Sequence, residues 1–220
     1  MRTREEIEKE YAKWGGEFNT TFHIDRLAKT TPFWRYVYRP MKGKPNLKFL
    51  EIGSFEGQSA MWFLEKVLVH ETSQLVCVDP HRDSSCDPMR KKSDKTIYET
   101  FKQNILDNEK YKKKVTYHRE NSRQALRRYP VKGGIFDFAY IDGLHCSHGV
   151  LEDLVLTWPL VKKGGVIILD DFAAANLGVI PNSKRALIGI NSFLQAYDGM
   201  YEIVGGAGIL FPLRVVKHWG

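Results

Sequence analysis

LKFLEIGSFEGQSA, residues 47–60, runs from an apolar strand into a turn bounded by Gly53 and Gly57 and then into the start of a helix. The two glycines permit a tight turn, and the helix that follows aims free backbone N–H groups at whatever lies beyond the strand end. Four more apolar runs lie further along the chain: LVCVD (75–79), VTYHRE (115–120), FDFAYIDG (136–143) and VIILDD (166–171), with helix-like stretches between them. After His148, Leu151, Leu154, Val155 and Trp158 share one helical face, whereas Glu152 and Asp153 fall elsewhere on the wheel, so Asp153 reads as a solvated helix residue. Short apolar strands alternating with helices predict a parallel sheet buried on both faces, because parallel strands need crossover connections. YEIVGG (201–206) and ILFPLRVVKH (209–218) add two strands as an antiparallel hairpin at the sheet edge. The expected fold is therefore α/β: a doubly wound, mostly parallel, seven-stranded sheet with helices on both faces.

The 220 residues, 43% hydrophobic and 27% charged, fit one globular domain and exclude disordered, collagenous and coiled-coil classes. Residues 46–220 form the expected domain, and residues 1–45 a helical or irregular cover. In that cover Thr3 and Glu6 form a capping box before Ile7, Tyr11 and Trp14, and Phe33-Trp34-Arg35-Tyr36-Val37-Tyr38 reads equally as an interface or as a wedge over the site. Cys77, Cys86 and Cys146 are odd in number and lack zinc-finger spacing, which favours a reducing compartment. The N-terminal segment is charged where a signal peptide needs an apolar core, and no run reaches the roughly 18 apolar residues of a membrane span, so the expectation is a soluble cytoplasmic protein.

Ligands of open α/β sheets bind beyond the carboxyl ends of the strands, and here those ends are acidic and glycine-rich. Asp79, 28 residues after Glu51, has the position of a carboxylate that accepts both hydroxyls of a ribose. The spacing G-x-x-x-G differs from the dinucleotide fingerprint G-x-G-x-x-G, which favours a nucleoside without a pyrophosphate. Asp142 closes the fourth strand, and Asp170-Asp171 close the fifth, again 28 residues on. Carboxylates on neighbouring strands about 4.8 Å apart repel one another unless a cation lies between them. Hard oxygen donors select Mg²⁺, Ca²⁺ or Mn²⁺.

In order and spacing, EIGSFEGQSA, VCVDP, FDFAYIDG and KKGGVIILDDF resemble the motifs of class I S-adenosylmethionine-dependent methyltransferases. The likeness covers about residues 46–215 and extends to the small metal-dependent O-methyltransferases of the catechol, caffeoyl-CoA and macrolide-sugar types. It implies a Rossmann-like methyltransferase that uses S-adenosylmethionine and Mg²⁺ or another hard divalent cation. The resemblance places Gly53, Ser54, Phe55 and Gly57 along the methionine side of the cofactor. Ser59 would meet its carboxylate, Glu51 the loop or the amino group, and Asp79 the ribose. Ser122 and Arg123 would lie by the adenine, with Asp142 serving both cofactor and metal. Asp142, Asp170 and Asp171 complete the implied metal ligands.

His145, three residues past Asp142, occupies the slot of the catalytic base in that family, and an imidazole titrating near neutrality suits the task. Alternatively it caps the following helix. Cys146 and His148 invite a zinc reading, but four ligands at suitable spacing are absent. The expected function is methyl transfer to the hydroxyl of a small molecule: a phenol, a sugar or a natural product. Residues 90–114 hold nine basic against four acidic side chains, so +5 of the net +7 sits there. That cluster raises RNA or protein methylation as an alternative, against the blander reading of a solvated helix face. A non-catalytic S-adenosylmethionine-binding module is a further alternative, and a homodimer is compatible with the edge strands.

Overall fold

The computed structural model describes residues 37–82, 94–130, 132–170, 186–205 and 211–215. The expected N-terminal helix from Thr3 lies outside them, as do Cys86, Asp171 and the loop 173–183. Five strands, β1 (Lys48–Ile52), β2 (Gln74–Val78), β3 (Val115–His118), β4 (Phe136–Ile141) and β5 (Val161–Leu169), pair in parallel. Strands β6 (Tyr201–Ile203) and β7 (Phe211–Val215) complete a seven-stranded sheet of order β3-β2-β1-β4-β5-β7-β6. The tail is thus an antiparallel pair at the edge, with β7 inserted between β5 and β6 and antiparallel to both.

Two hydrophobic layers follow from strand alternation. On one face Phe49, Phe138, Leu75 and Val166 pack under helix α1 (Gln58–Lys66) and under Phe101 and Ile105, from helix α2 (Asp94–Phe101) and the π-helical turn that continues it. Tyr38, the last residue of the aromatic segment, is wedged into this layer, with its ring 4.6 Å from Phe138 and 5.3 Å from Phe63. On the other face Leu50, Val76, Ala139 and Ile167 meet helices α3 (Ser122–Leu126), α4 (Ser147–Thr157) and α5 (Ala186–Ala196).

Helix α4 corrects the expectation drawn from its hydrophobic pattern. Its buried face is Val150, Asp153, Leu154 and Thr157, whereas Val155 is 41% exposed. Asp153 is not solvated but 3% exposed. The physical reason is a hydrogen bond from the Ser122 hydroxyl, which satisfies this carboxyl inside, while Leu154 and Trp158 of the apolar stripe stay buried. Among the described residues no helix is long and apolar enough to cross a membrane.

Candidate active site

Register brings the site together. Cys77 on β2, Glu51 on β1, Tyr140 on β4 and Ile168 on β5 are directly paired across four parallel strands, so their side chains share one face. The row two residues further on is Asp79, Gly53, Asp142 and Asp170. Backbone bonds from Gly53 N to the Val78 carbonyl (2.9 Å), Asp142 N to the Ile52 carbonyl (2.8 Å) and Asp170 N to the Ile141 carbonyl (3.0 Å) carry the ladder to that row. Three carboxylates therefore stand in line at the carboxyl edge of the sheet, interrupted by one glycine.

That glycine is demanded twice. Gly53 has φ of +89°, and a Cβ there would lie 1.9 Å from the carbonyl oxygen of Asp142. The loop after β1 is thus pressed onto the loop after β4, and a side chain at 53 has nowhere to go. Gly57, with φ of +86°, opens α1, whose N-terminus has no side-chain cap and no acid in its first turn. Its N–H groups suit an anionic group such as a carboxylate.

Glu51 is fully buried. It accepts hydrogen bonds from Ser54 Oγ (2.7 Å), Ser59 Oγ (2.5 Å) and, more weakly, Cys77 Sγ (3.5 Å). Burial pushes its carboxyl up to about 7 against the pull of those three donors, with the Asp142 charge adding to the rise. Ser59 is turned towards Glu51, and Cys77, which the sequence left without a role, is a third donor to this group.

Asp79 is also fully buried. Oδ2 accepts the N–H of Phe55 (2.9 Å) and Oδ1 that of His81 (2.8 Å). Phe55 and His81 are non-glycine residues in the left-handed region, at φ of 46° and 45°. The carboxylate thus holds two strained turns in place, the kind of strain that gathers at functional sites. His81 adds a contact of 2.7 Å from Nε2 to the Phe55 carbonyl and one of 2.6 Å from Nδ1 to the Tyr117 hydroxyl. In this structure Asp79 braces the loop 53–57, a role the ribose expectation did not include.

At the other end of the row, Tyr140 gathers the carboxylates. Its hydroxyl donates to Asp170 Oδ2 and lies 3.4 Å from Asp142 Oδ2. Burial, then the charges of Asp142 and Asp170, push the phenol well above its usual range, so it stays a donor. His145 Nε2 lies 3.2 Å from Asp142 Oδ1, with both side chains about one-third exposed. Asp142, Asp170, Tyr140 and His145 therefore form one contiguous group. Sequence reasoning missed Tyr140, although its i, i+2 spacing from Asp142 on a strand was a usable signal.

Asp142 and Asp170 offer hard oxygen donors converging from adjacent strands, a chemistry that fits a divalent cation. Among the described residues no group of three or more His, Cys, Asp or Glu is positioned to hold a metal, and Asp171 falls outside them. Cys146 Sγ and His148 Nε2 lie 3.6 Å apart, and among the described residues they belong to no group of three or more metal-binding side chains.

The expected adenine side is divided. Ser122 faces Asp153, whereas Arg123 forms a two-pronged ion pair with Glu152 at 2.5 and 2.8 Å on the surface. The lysine cluster is partly committed to neighbours: Lys102 pairs with Asp107, Lys110 with Glu65 and Lys112 with Glu109, and Lys114 bonds the Leu68 carbonyl.

Comparison with known proteins adds a family. The sequence model of a family described as a methyltransferase domain matches residues 50–172. A rhamnosyl O-methyltransferase of Mycobacterium leprae is 28% identical over 213 residues, 91% of this chain and 83% of that protein. An uncharacterised protein of Acanthamoeba polyphaga mimivirus is 30% identical over 170 residues, 72% of this chain and 62% of its own length, so this chain spans less than two-thirds of it. In structure, the O-methyltransferase TomG of Streptomyces achromogenes, solved with S-adenosylmethionine, superposes with a TM-score of 0.65 at 16% identity, over 99% of this chain and all of that one.

Proposed function

The chain belongs to the methyltransferase-domain family and has the class I fold of S-adenosylmethionine-dependent enzymes, and we propose that it methylates a hydroxyl of a small molecule, foremost a sugar, with the help of a divalent cation. The observation that carries the reading is the convergence of Asp142 and Asp170 on Tyr140, with His145 beside Asp142. The rhamnosyl O-methyltransferase relative supports a sugar as the acceptor class.

As an S-adenosylmethionine-dependent O-methyltransferase, the protein needs groups for the cofactor, the acceptor and one proton. The cofactor supplies a methyl carbon already activated on a sulfonium, and a divalent cation lowers the pKa of a hydroxyl bound to it. Asp142 and Asp170 would hold that cation, joined by Asp171. Tyr140, by donating to Asp170 and touching Asp142, keeps the two carboxylates aimed at one point. His145, beside Asp142, would take the acceptor's proton, and the Asp142 charge would stabilise the imidazolium that forms. Gly53 fixes the distance between the cofactor loop and Asp142, and orientation supplies much of the rate because the methyl group needs no further activation. The open N-terminus of α1 and the Glu51–Ser54–Ser59 group would receive the charged end of the cofactor's methionine.

The test is a methyl-transfer assay with S-adenosylmethionine, rhamnosides and other sugars, and catechols, each with Mg²⁺ and with EDTA. Turnover that falls with EDTA and in Asp142→Ala, and by roughly 10²-fold or more in His145→Ala, is expected. Turnover indifferent to EDTA and to Asp142→Ala overturns the metal mechanism. Cofactor binding with no transfer to any acceptor favours the non-catalytic module.

A further inference from the structure

The loop 53–57 is held by two buried side chains that the reaction does not use, His81 and Asn104, each 4% exposed. His81 follows β2, and its Nε2 lies 2.7 Å from the Phe55 carbonyl oxygen. A carbonyl only accepts, so this nitrogen carries the proton of the contact. Nδ1 meets the Tyr117 hydroxyl at 2.6 Å. Tyr98, Phe101 and Tyr117 pack against the imidazole with ring centroids 4.9 to 5.7 Å away, which fixes its place.

Asn104 comes from the π-helical turn that continues α2, closed by a bond from the Asp107 N–H to the Lys102 carbonyl (2.8 Å). Its Nδ2 donates to the Glu56 carbonyl at 3.1 Å. Phe101 and Ile105, three residues before and one after, reach the same loop: a Cβ on Gly57 would lie 2.5 Å from Ile105 Cγ1 and 3.1 Å from Phe101 Cδ2. Turns of this type are rare and gather at functional sites, and this one lies against the turn that opens α1.

Two successive carbonyls, 55 and 56, are thus fixed by side chains from separate elements. In a trans peptide the N–H points opposite to the carbonyl it is joined to, so holding these oxygens also aims the N–H groups of Glu56 and Gly57. The Gly57 N–H is turned onto the Ser54 carbonyl (2.8 Å), which closes the turn, and the Glu56 N–H is turned away from His81. Asp79 completes the hold through the Phe55 N–H. Phe55 sits at φ of 46°, a conformation that persists only where its surroundings over-determine it.

We propose that His81 and Asn104 are positioning residues: they clamp the Phe55 and Glu56 carbonyls and so preset the loop and the N-terminus of α1 before the cofactor binds. The assignment rests on the S-adenosylmethionine reading above and deepens it by naming the side chains that hold the loop. Such presetting is read as affinity, because the ligand does not have to order the loop itself.

Calorimetric titration of S-adenosylhomocysteine into the wild type, His81→Gln, His81→Asn and Asn104→Ala tests it, with urea unfolding of each protein alongside. The amide nitrogen of glutamine can stand where Nε2 does and donate to the Phe55 carbonyl, whereas that of asparagine stops at the position of Nδ1. Asparagine tolerates the positive φ at 81, so its loss is the contact and not backbone strain. His81→Asn and Asn104→Ala should each weaken binding about tenfold, the scale of one lost hydrogen bond. His81→Gln should stay within about threefold of the wild type. A merely structural role would lower the urea midpoints and leave the affinity of the folded protein unchanged. Wild-type affinity in either His81→Asn or Asn104→Ala, or equal weakening in His81→Gln and His81→Asn, overturns the assignment alone. If His81→Asn does not fold, Asn104→Ala decides by the same criterion, since it leaves the backbone at 81 untouched. Failure of the wild type to bind S-adenosylhomocysteine overturns the assignment together with the cofactor reading.

Discussion

Replacing Gly53 by alanine tests the link between the cofactor loop and the carboxylates. The new Cβ would start 1.9 Å from the Asp142 carbonyl oxygen and must reach at least 3.0 Å, a movement of 1.1 Å. Asp142 cannot yield freely, since its N–H bonds the Ile52 carbonyl at 2.8 Å and its carboxylate meets Tyr140 and His145. A positive φ costs an L residue about 1–2 kcal/mol, and losing the Asp142–Ile52 bond adds roughly 1 kcal/mol. The expected destabilisation is therefore about 2–3 kcal/mol by urea unfolding. Methyl transfer should fall about 100-fold in kcat/KM, the scale of a 1 Å misplacement of a reacting group. Gly133→Ala is the control: its φ is also +89°, but nothing lies within 4 Å of its Cβ. It should show the conformational cost alone and keep full activity. If the two variants lose the same stability and both stay active, the close approach of the loops is not what requires a glycine at 53.

Two further outcomes follow from the buried groups. Glu51 has a folded-state value near 7 against 4.5 in the unfolded chain, so its contribution is fully present below pH 4.5 and is lost as pH rises through 7. Between pH 5 and 9 the wild type should lose up to about 3 kcal/mol relative to Glu51→Gln, and superimposable pH profiles of urea stability would contradict this. Asp153 carries a shift of the same sign but is common to both proteins, so the difference isolates Glu51. Tyr140→Phe removes the donor shared by Asp170 and Asp142. Manganese titration followed by electron paramagnetic resonance should show affinity lowered roughly tenfold, the worth of about one charge-assisted hydrogen bond; unchanged affinity would mean the carboxylates hold their places without the phenol.

Much of the fold was legible because it rests on local patterns. The five apolar runs ending in glycine or acid, and the two tail runs, mark the seven strands, since parallel strands buried on both faces must be apolar along their length. The acidic strand ends were legible for the same reason, Asp79, Asp142 and Asp170 each terminating an apolar run. Asp153 was not, because a hydrophobic wheel gives a carboxyl to solvent unless its hydrogen-bond partner is known, and Ser122 lies 31 residues away. Arg123 was assigned by its place after β3, whereas its side chain is drawn aside by Glu152 from a different helix.

The sequence by itself determined the order of elements, the glycine turn after β1 and which residue types end each strand, all consequences of periodicity and backbone sterics within a few residues. Only the tertiary structure decided register. Pairing Glu51 with Cys77 and Tyr140 created a buried polar row across three strands, and the next row put Gly53 against Asp142 and Tyr140 beneath two carboxylates. Side-chain facing in a sheet alternates at every residue, so a slip of one position would have sent each of these groups to the opposite face. That choice is made by packing between strands far apart in the chain.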